Sequence, residues 1–367
     1  MSWLKRAEIA WRKSLMRGLG LLIRRNRPLP REIDFDACKF LFLRWDRIGD
    51  VLVSTPVFSA LKERYPSATV DVLLGARNHF VLDNEPLVRK RWVFHKNLPA
   101  VVKLVRALRA ERYDFVVDMF DNASAISTVF LALIGGRWNV GLAKENAYIY
   151  DVAVPSRPKR DMHVVDRLLE LLRAFDVDLD RMDHRIHYRV SPAAKAQAER
   201  FWRLHDLDER YVIGINLSAG SGRFWGEDNY RELLRGLPED HPHARLLLLF
   251  HPTDRRTAED IVAPCAGVAL SPDTHSFDEF AALIERSSLL ITPDTSAVHL
   301  AAAFHVPSVC LFVQTHPDFR IWDPYRTPAE VLVTDVDDLS TIPAHAVLSA
   351  ARRLSARSRP AAPRTIP

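Results

Sequence analysis

Three strand-to-helix turns hold the residues of this sequence that could do chemistry. The first is Arg44-Trp45-Asp46-Arg47-Ile48-Gly49-Asp50-Val51. An apolar strand ends there, the chain turns at Gly49, and Asp50 stands where a helix would open. On local grounds Asp50 is a helix N-cap, a role that aspartate fills well. The second turn runs from Ile215 to Trp225 and holds Ser218, Gly220, Ser221, Gly222 and Arg223. Small residues let backbone N–H groups approach a phosphate, and an arginine supplies a charged fork. An ordinary flexible loop is the alternative. The third turn is Ile291-Thr292-Pro293-Asp294-Thr295-Ser296-Ala297-Val298-His299. Thr295 and Ser296 sit at a helix start, whose free N–H groups and positive dipole end suit a pyrophosphate. His299 falls one turn later on the face of Thr295. Its alternative is a buried structural histidine, and Asp294 or Thr295 could simply cap the helix. None of the turns carries G-x-G-x-x-G, so a dinucleotide fingerprint is absent.

Alternating strands and helices must position these turns. Apolar runs predict strands at 39–44, 69–74, 115–118, 211–216, 245–250, 289–291 and 308–312. Between them, helical periodicity is expected over 50–65, 97–110, 123–134, 162–175, 191–205, 228–235, 254–262, 277–286 and 295–304. Ser191 reads as an N-cap with Pro192 in the first turn, and Pro56 as a kink or early-turn residue. The alternation restarts after residues 178–186, which predicts two successive parallel sheets covered by helices. Ligands of such sheets bind beyond the carboxyl ends of the strands, so a cleft between two facing domains is expected. The expected boundaries are 1–35 for a helix and linker, 36–180 and 181–350 for the two domains, and 351–367 for a basic disordered tail.

Composition narrows the class. The chain has 367 residues, 48% hydrophobic and 26% charged, which excludes a mostly disordered protein. Cys38, Cys265 and Cys310 are far apart, which argues against a disulfide scaffold or a structural zinc site. The net charge of +5 is unevenly spread. Residues 1–30 hold eight Lys+Arg and one acid, or +7, and residues 352–367 hold five Arg and no acid, or +5. Removing both from the total leaves −7 for residues 31–351, so the basic balance belongs to the ends and does not argue for nucleic-acid binding. Within 2–25, Leu4, Ala7, Trp11, Leu15, Leu19 and Leu22 form one helical stripe beside Lys5, Arg6, Arg12, Lys13 and Arg17. That pattern predicts an amphipathic helix lying on an anionic membrane surface; packing on the protein's own surface is the alternative. The apolar stretch 19–23 is too short for a signal-peptide core, so a chain starting at Met1 on the cytoplasmic side is expected.

Three strings, in this order, resemble glycosyltransferase family nine, the bacterial ADP-heptose:lipopolysaccharide heptosyltransferases. They are RIGDVLVSTPVFSALKERYPSATVDVL (47–73), GRFWGEDNYRELL (222–234) and ITPDTSAVHLAAAFHVPSVCLF (291–312). DMHVVDRLLELLRAF (161–175) is similar to the family's helix before its second domain. The resemblance implies the α/β GT-B architecture, two Rossmann-like parallel-sheet domains facing a cleft. It implies inverting transfer of a sugar from a nucleotide-sugar donor, ADP-heptose first among them, to a lipopolysaccharide core or similar lipid-linked glycan, with no metal or other cofactor. Asp50 then matches the catalytic base. Ser218, Ser221, Arg223, Thr295, Ser296 and His299 match the donor-diphosphate site, and Asp294 the donor-sugar site. The implied place is the inner face of the cell membrane, held there peripherally. Three positions depart from the family pattern: Ser296 stands for Gly, Arg223 for Lys, and Phe312-Val313-Gln314 lacks a Gly. Transfer of another nucleotide sugar, epimerisation of a donor sugar and a non-catalytic glycan-assembly role are the alternatives these departures leave open.

Overall fold

The computed structural model describes residues 18, 25, 27–181, 184–220, 222–316 and 321–358. The expected amphipathic helix over 2–25 and the last residues of the expected tail, 359–367, lie outside the described residues. The chain divides into two compact units, Met1–Pro158 with Val164–His184, and Lys159–His163 with Arg185–Pro367.

In the first unit the strands are β1 (Lys39–Leu43), β2 (Thr69–Gly75), β3 (Lys90–Phe94), β4 (Phe115–Asp118), β5 (Trp138–Leu142) and β6 (Val152–Val154). They pair in parallel in the order β3-β2-β1-β4-β5-β6. In the second unit β7 (Tyr211–Asn216), β8 (Ala244–Leu249), β9 (Val268–Leu270), β10 (Leu289–Pro293), β11 (Ser308–Val313) and β12 (Ala329–Thr334) repeat this plan. Their order is β12-β11-β10-β7-β8-β9, again all parallel. Both sheets are therefore doubly wound, and strand order reverses between β1 and β4 and between β7 and β10. A sheet covered on both faces buries its central strands, which is why β1 is apolar from Phe40 to Leu43 and β7 from Val212 to Ile215. Phe40, Leu41, Phe42 and Leu43 are fully buried. Each such side chain contributes roughly 1.5–3 kcal/mol relative to exposure.

Several expectations need correction. Residues 50–65 do not form one helix: a short helix, Ile48–Leu52, is followed by Thr55–Arg64. Pro56 lies in the first turn of the second, where its missing N–H costs nothing. The short helix opens at Ile48, so Asp50 is its third residue and not its cap. β3, β5, β6, β9 and β12 were not expected; they are peripheral or short strands with weak apolar patterns. Residues 351–358 are not an extended tail, because the helix Ala344–Ser358 runs through them. Val347, Ala350, Ala351 and Leu354 make a buried stripe on that helix. Its arginines pair outward, Arg353 and Arg357 each 2.8 Å from Glu330, and Arg352 with Asp240. Acids from distant elements neutralise what looks like an unpaired basic run. By contrast, Ser191 caps the helix Pro192–Leu204 as expected, accepting from the Ala194 N–H at 3.2 Å. Among the described residues no helix is long and apolar enough to cross a membrane.

Candidate active site

In the first unit the loops after β1 and β4 meet at the reversal of strand order, with Leu43 in register with Asp118. Arg44 follows β1 and is 1% exposed. A buried guanidinium needs partners for its donors, and this one finds them for Nε and Nη1, while Nη2 is held by an ion pair alone. Its Nε donates to the Asp50 carbonyl at 2.9 Å and Nη1 to the Met119 carbonyl at 2.6 Å. Nη2 lies 3.2 Å from Asp50 Oδ1, and Nη1 lies 3.6 Å from Asp46 Oδ2. The Asp50 carboxylate is held on its other side, where Oδ2 accepts the Arg47 N–H at 3.0 Å. The Ser54 hydroxyl donates to the Asp50 carbonyl at 2.7 Å. Twelve per cent of the Asp50 side chain stays open to solvent (12% exposed).

Beside this group lies a second charge cluster. Lys144 reaches Asp118 Oδ2 at 3.2 Å and the Phe120 carbonyl at 2.5 Å. Tyr150 donates to the same Asp118 oxygen at 2.6 Å, and Ser127 donates to it at 3.2 Å. Gly141 in β5 makes room for the Tyr150 ring: a Cβ there would stand 2.4 Å from Cζ. Burial pulls the Lys144 amine down, while the Asp118 charge opposes that. Burial pushes the Tyr150 phenol up. Burial also pushes the Asp46 carboxyl up, to about 6; Asp50 and Asp118 add to this, and Arg44 and Lys144 oppose it. Asp46, Asp118, Lys144 and Tyr150 were not singled out by the sequence. Asp46 lies within the first motif, and a charged residue ending the apolar run of β4 was the available signal for Asp118.

In the second unit the loops after β7 and β10 meet in the same way, with Ile215 in register with Ile291. Asn216 ends β7, is 2% exposed, and binds the two loops together. Its Nδ2 donates to the Thr292 hydroxyl at 3.0 Å, the Ser218 carbonyl at 3.1 Å and the Thr295 hydroxyl at 3.3 Å. A buried side-chain amide at a strand's end is the signal that sequence reasoning passed over. Thr295 is the N-cap of the helix Ser296–Phe304, its Oγ1 accepting from the Ala297 N–H at 3.2 Å. The cap is thus Thr295 and not Asp294, which is exposed at the turn. Ser296 is the first residue of this helix and is not among the positive-φ residues. A glycine's conformational freedom is therefore not needed there, and Ser in its place brings no backbone strain.

His299 is 4% exposed on this helix, and its Nδ1 has no hydrogen-bond partner among the described residues. Burial, with the neighbouring His163, pushes its pKa down to about 3. At neutral pH it offers a neutral ring and no positive charge. His163 itself stacks on Tyr325, ring centroids 4.9 Å apart.

Of the other expected residues, Ser218 is tied to Thr295 through Asn216. The Ser218 hydroxyl is engaged twice: it donates to Asp254 Oδ2 at 2.5 Å and accepts the His251 N–H at 2.7 Å. Arg223 pairs with Asp337 at 3.0 Å, with 30% and 76% of the two side chains exposed. Such a surface pair is worth about 0–1 kcal/mol, so an anion could take the guanidinium from it. Ser221 lies outside the described residues. The loop is anchored by Trp225, which is fully buried and donates from Nε1 to the Ile342 carbonyl at 2.8 Å.

Two doubly wound units, each with polar side chains collected where its strand order reverses, have the form of the GT-B glycosyltransferases. The family described as glycosyltransferase family 9 (heptosyltransferase) matches residues 101–342. The chain belongs to this family and is a glycosyltransferase. Lipopolysaccharide heptosyltransferase 3 of Escherichia coli (strain K12) is 25% identical to it over 355 residues, covering 86% of this chain and 98% of the relative. A family 9 glycosyl transferase from Veillonella parvula DSM 2008 superposes with a TM-score of 0.75 at 19% identity, covering 89% of this chain and 99% of that one. The E. coli heptosyltransferase WaaC, solved with ADP, gives a TM-score of 0.69 at 18% identity, covering 86% of this chain and 99% of the other.

Proposed function

We propose that the chain transfers a heptose from ADP-heptose to a lipopolysaccharide core or similar lipid-linked glycan, with inversion at the anomeric carbon. The kinship with lipopolysaccharide heptosyltransferase 3, and with a heptosyltransferase solved with ADP, supports the donor and the class of acceptor. The observation that carries the mechanism is the Asp50 carboxylate, fixed by Arg44 and the Arg47 N–H yet 12% exposed. In this reading Asp50 accepts the proton of the acceptor hydroxyl as that oxygen attacks the anomeric carbon. The first unit takes the acceptor and the second the donor.

Charge then develops on the departing diphosphate, and fixed dipoles and cations stabilise it. The helix start at Thr295 and Ser296 supplies the dipole. Arg223, exchanging Asp337 for phosphate, supplies the cation. Ser218 and Ser221 belong to the same diphosphate loop, His299 contributes a neutral hydrogen-bonding ring, and Asp294 serves the donor sugar. Residues 2–25 hold the enzyme on the anionic inner face of the cell membrane, where a lipid-linked acceptor is found.

The deciding experiment incubates the full chain with a panel of nucleotide sugars and a heptose-deficient lipopolysaccharide, read by mass spectrometry. A heptose mass added from ADP-heptose is expected. A hexose added from another donor overturns the donor assignment, and nucleotide binding without turnover across the panel overturns the activity. Asp50→Asn should lower the transfer rate on the order of 10²–10⁴-fold, and the melting temperature should fall as well, because the buried Arg44 loses a carboxylate partner. Near-normal turnover would remove Asp50 from the mechanism. Deleting residues 1–27 should release the protein from anionic vesicles; continued co-sedimentation contradicts the tether.

A further inference from the structure

We propose that the outer face of two helices of the first unit, Leu98–Glu111 and Ala125–Ile134, docks on an anionic lipid bilayer and sets the acceptor site against it. The use of that surface rests on the acceptor being lipid-linked; its existence does not.

A helix at a protein surface keeps polar side chains toward water, and one that is apolar all round is normally covered. Ala125–Ile134 reads AISTVFLALI, without a charged residue. Its two hydroxyl residues turn inward. Ser127 donates to Asp118 Oδ2 and Thr128 to the Ser124 carbonyl, and both are buried. Phe130, Leu131 and Ile134 fill the core. The outer stripe is then Ile126, Val129 and Leu133, at spacings of three and four. Leu98–Glu111 lies against this helix: its Val101 and Val105 pack on the same core, and Arg109 donates to the Leu133 carbonyl at 3.4 Å. Leu98 and Val102 stand four residues apart on its outer side. Leu98 is 74% exposed, and Val102, Ile126 and Leu133 are 40%, 44% and 42% exposed. Among the described residues these two helices hold four of the eight exposed large hydrophobics, so the apolar surface is concentrated there and not scattered.

Charge chooses the occupant. Segments 96–112 and 123–137 hold Lys96, Lys103, Arg106, Arg109, Arg112 and Arg137 against one acid, Glu111. Glu111 is taken by Arg89 and Lys90. Lys103, Arg106 and Arg112 have no carboxylate partner among the described residues. An apolar stripe beside unmatched cations fits the headgroup level of an anionic bilayer. A second copy of the chain would bring cations against the same cations. The chain's own first thirty residues carry +7 and would be repelled likewise.

Two placements connect this face to the acceptor site and to the start of the chain. The helices follow β3 and β4 at the carboxyl ends of the parallel strands, so Leu98 and Ile126 stand at the edge of the sheet where Asp50 follows β1. Past the other end of Ala125–Ile134, the Arg25 guanidinium donates to the Gly136 carbonyl at 2.8 Å, and the Arg25 N–H to the Tyr148 carbonyl at 2.9 Å. The chain preceding Arg25 therefore enters the fold beside this face. One weak membrane contact binds reversibly and two together hold, so the face and the first residues act as a pair.

The test uses the full-length chain with vesicles of phosphatidylglycerol or of phosphatidylcholine. Co-sedimentation with the anionic vesicles alone is expected, and hydrogen exchange in both helices should slow on binding. The double variants Ile126→Glu with Leu133→Glu, and Lys103→Glu with Arg106→Glu, should each weaken that binding on the order of tenfold. Their melting temperatures should stay near the wild-type value. For an acceptor embedded in vesicles the acceptor KM should rise about tenfold, while kcat, and KM for the same glycan freed of its lipid, stay unchanged. Wild-type binding by either double variant overturns the proposal. Exchange already slow without vesicles, and quickened by deleting residues 1–27, overturns it in favour of the chain's own start. A dimer that Ile126→Glu with Leu133→Glu dissociates overturns it in favour of a second copy. A wild type that binds vesicles through this face yet adds sugar to no lipid-linked glycan breaks the acceptor reading and leaves the surface standing.

Discussion

The two points where strand order reverses are built on the same topology and filled with opposite chemistry. Around the ends of β1 and β4 stand Arg44, Asp46, Asp50 and Asp118, joined by Lys144 from the loop after β5, a dense set of charges with Arg44 and Asp118 fully buried. At β7 and β10 stand Asn216, Thr292 and Thr295, tied by uncharged hydrogen bonds and closed by the start of a helix that carries a neutral His299. The first arrangement suits proton transfer, because a cluster of like charges tunes proton affinity. The second suits holding an anion, because the oriented dipoles of a helix start attract negative charge. One topology thus presents two different chemistries by changing what its strands end in.

Replacing Arg44 would test the charged half most severely. Arg44→Met leaves the Asp50 carboxylate buried without its partner and strips the Met119 carbonyl of its donor. A loss of about 3–5 kcal/mol is expected, read as a large fall in melting temperature. A fall of only a few tenths of a kcal/mol would mean the guanidinium is not integral to the first unit.

The neutral half should respond more mildly. Thr295→Ala removes the cap, and about 1 kcal/mol of stability is expected to go with it. Donor KM should rise while kcat changes less. Equal losses in kcat and kcat/KM would place Thr295 in transition-state stabilisation instead.

Smallest is the pH dependence of stability. The Asp46 carboxyl is raised in the folded state to about 6, above the ordinary aspartate value of about 3.9. The folded state therefore binds the proton more tightly, and stability from this group declines as pH rises through that interval. Asp46→Asn should melt higher than wild type above about pH 6 and the same below about pH 4. Equal melting temperatures at both ends would show that the Asp46 environment does not disfavour its charge.

Much of this was legible beforehand, and its limits are instructive. The three turns were visible as turns because strand-ending residues, glycines and hydroxyls act over a few positions. The helix start at Thr295 could be located to within one residue for the same reason. Asp46 stood inside a recognised motif but had no local mark, since its neighbours Asp118 and Lys144 come from β4 and from the loop after β5. The split of 48–64 into two helices was equally hidden: Asp50 could cap or serve as a third helical residue, and only the Arg44 and Arg47 contacts decide between them.

The sequence by itself determined the class of fold, two rounds of strand–helix alternation, and the uneven charge that places +7 in the first thirty residues. These follow from periodicity and composition, which are local or additive. Tertiary structure alone decided which loops share a site. Arg44 meets the Met119 carbonyl 75 residues away, and Asn216 meets Thr292 at a separation of 76. Those pairings depend on strand order in a parallel sheet, where neighbours in space are joined by long crossovers and no short-range pattern records them.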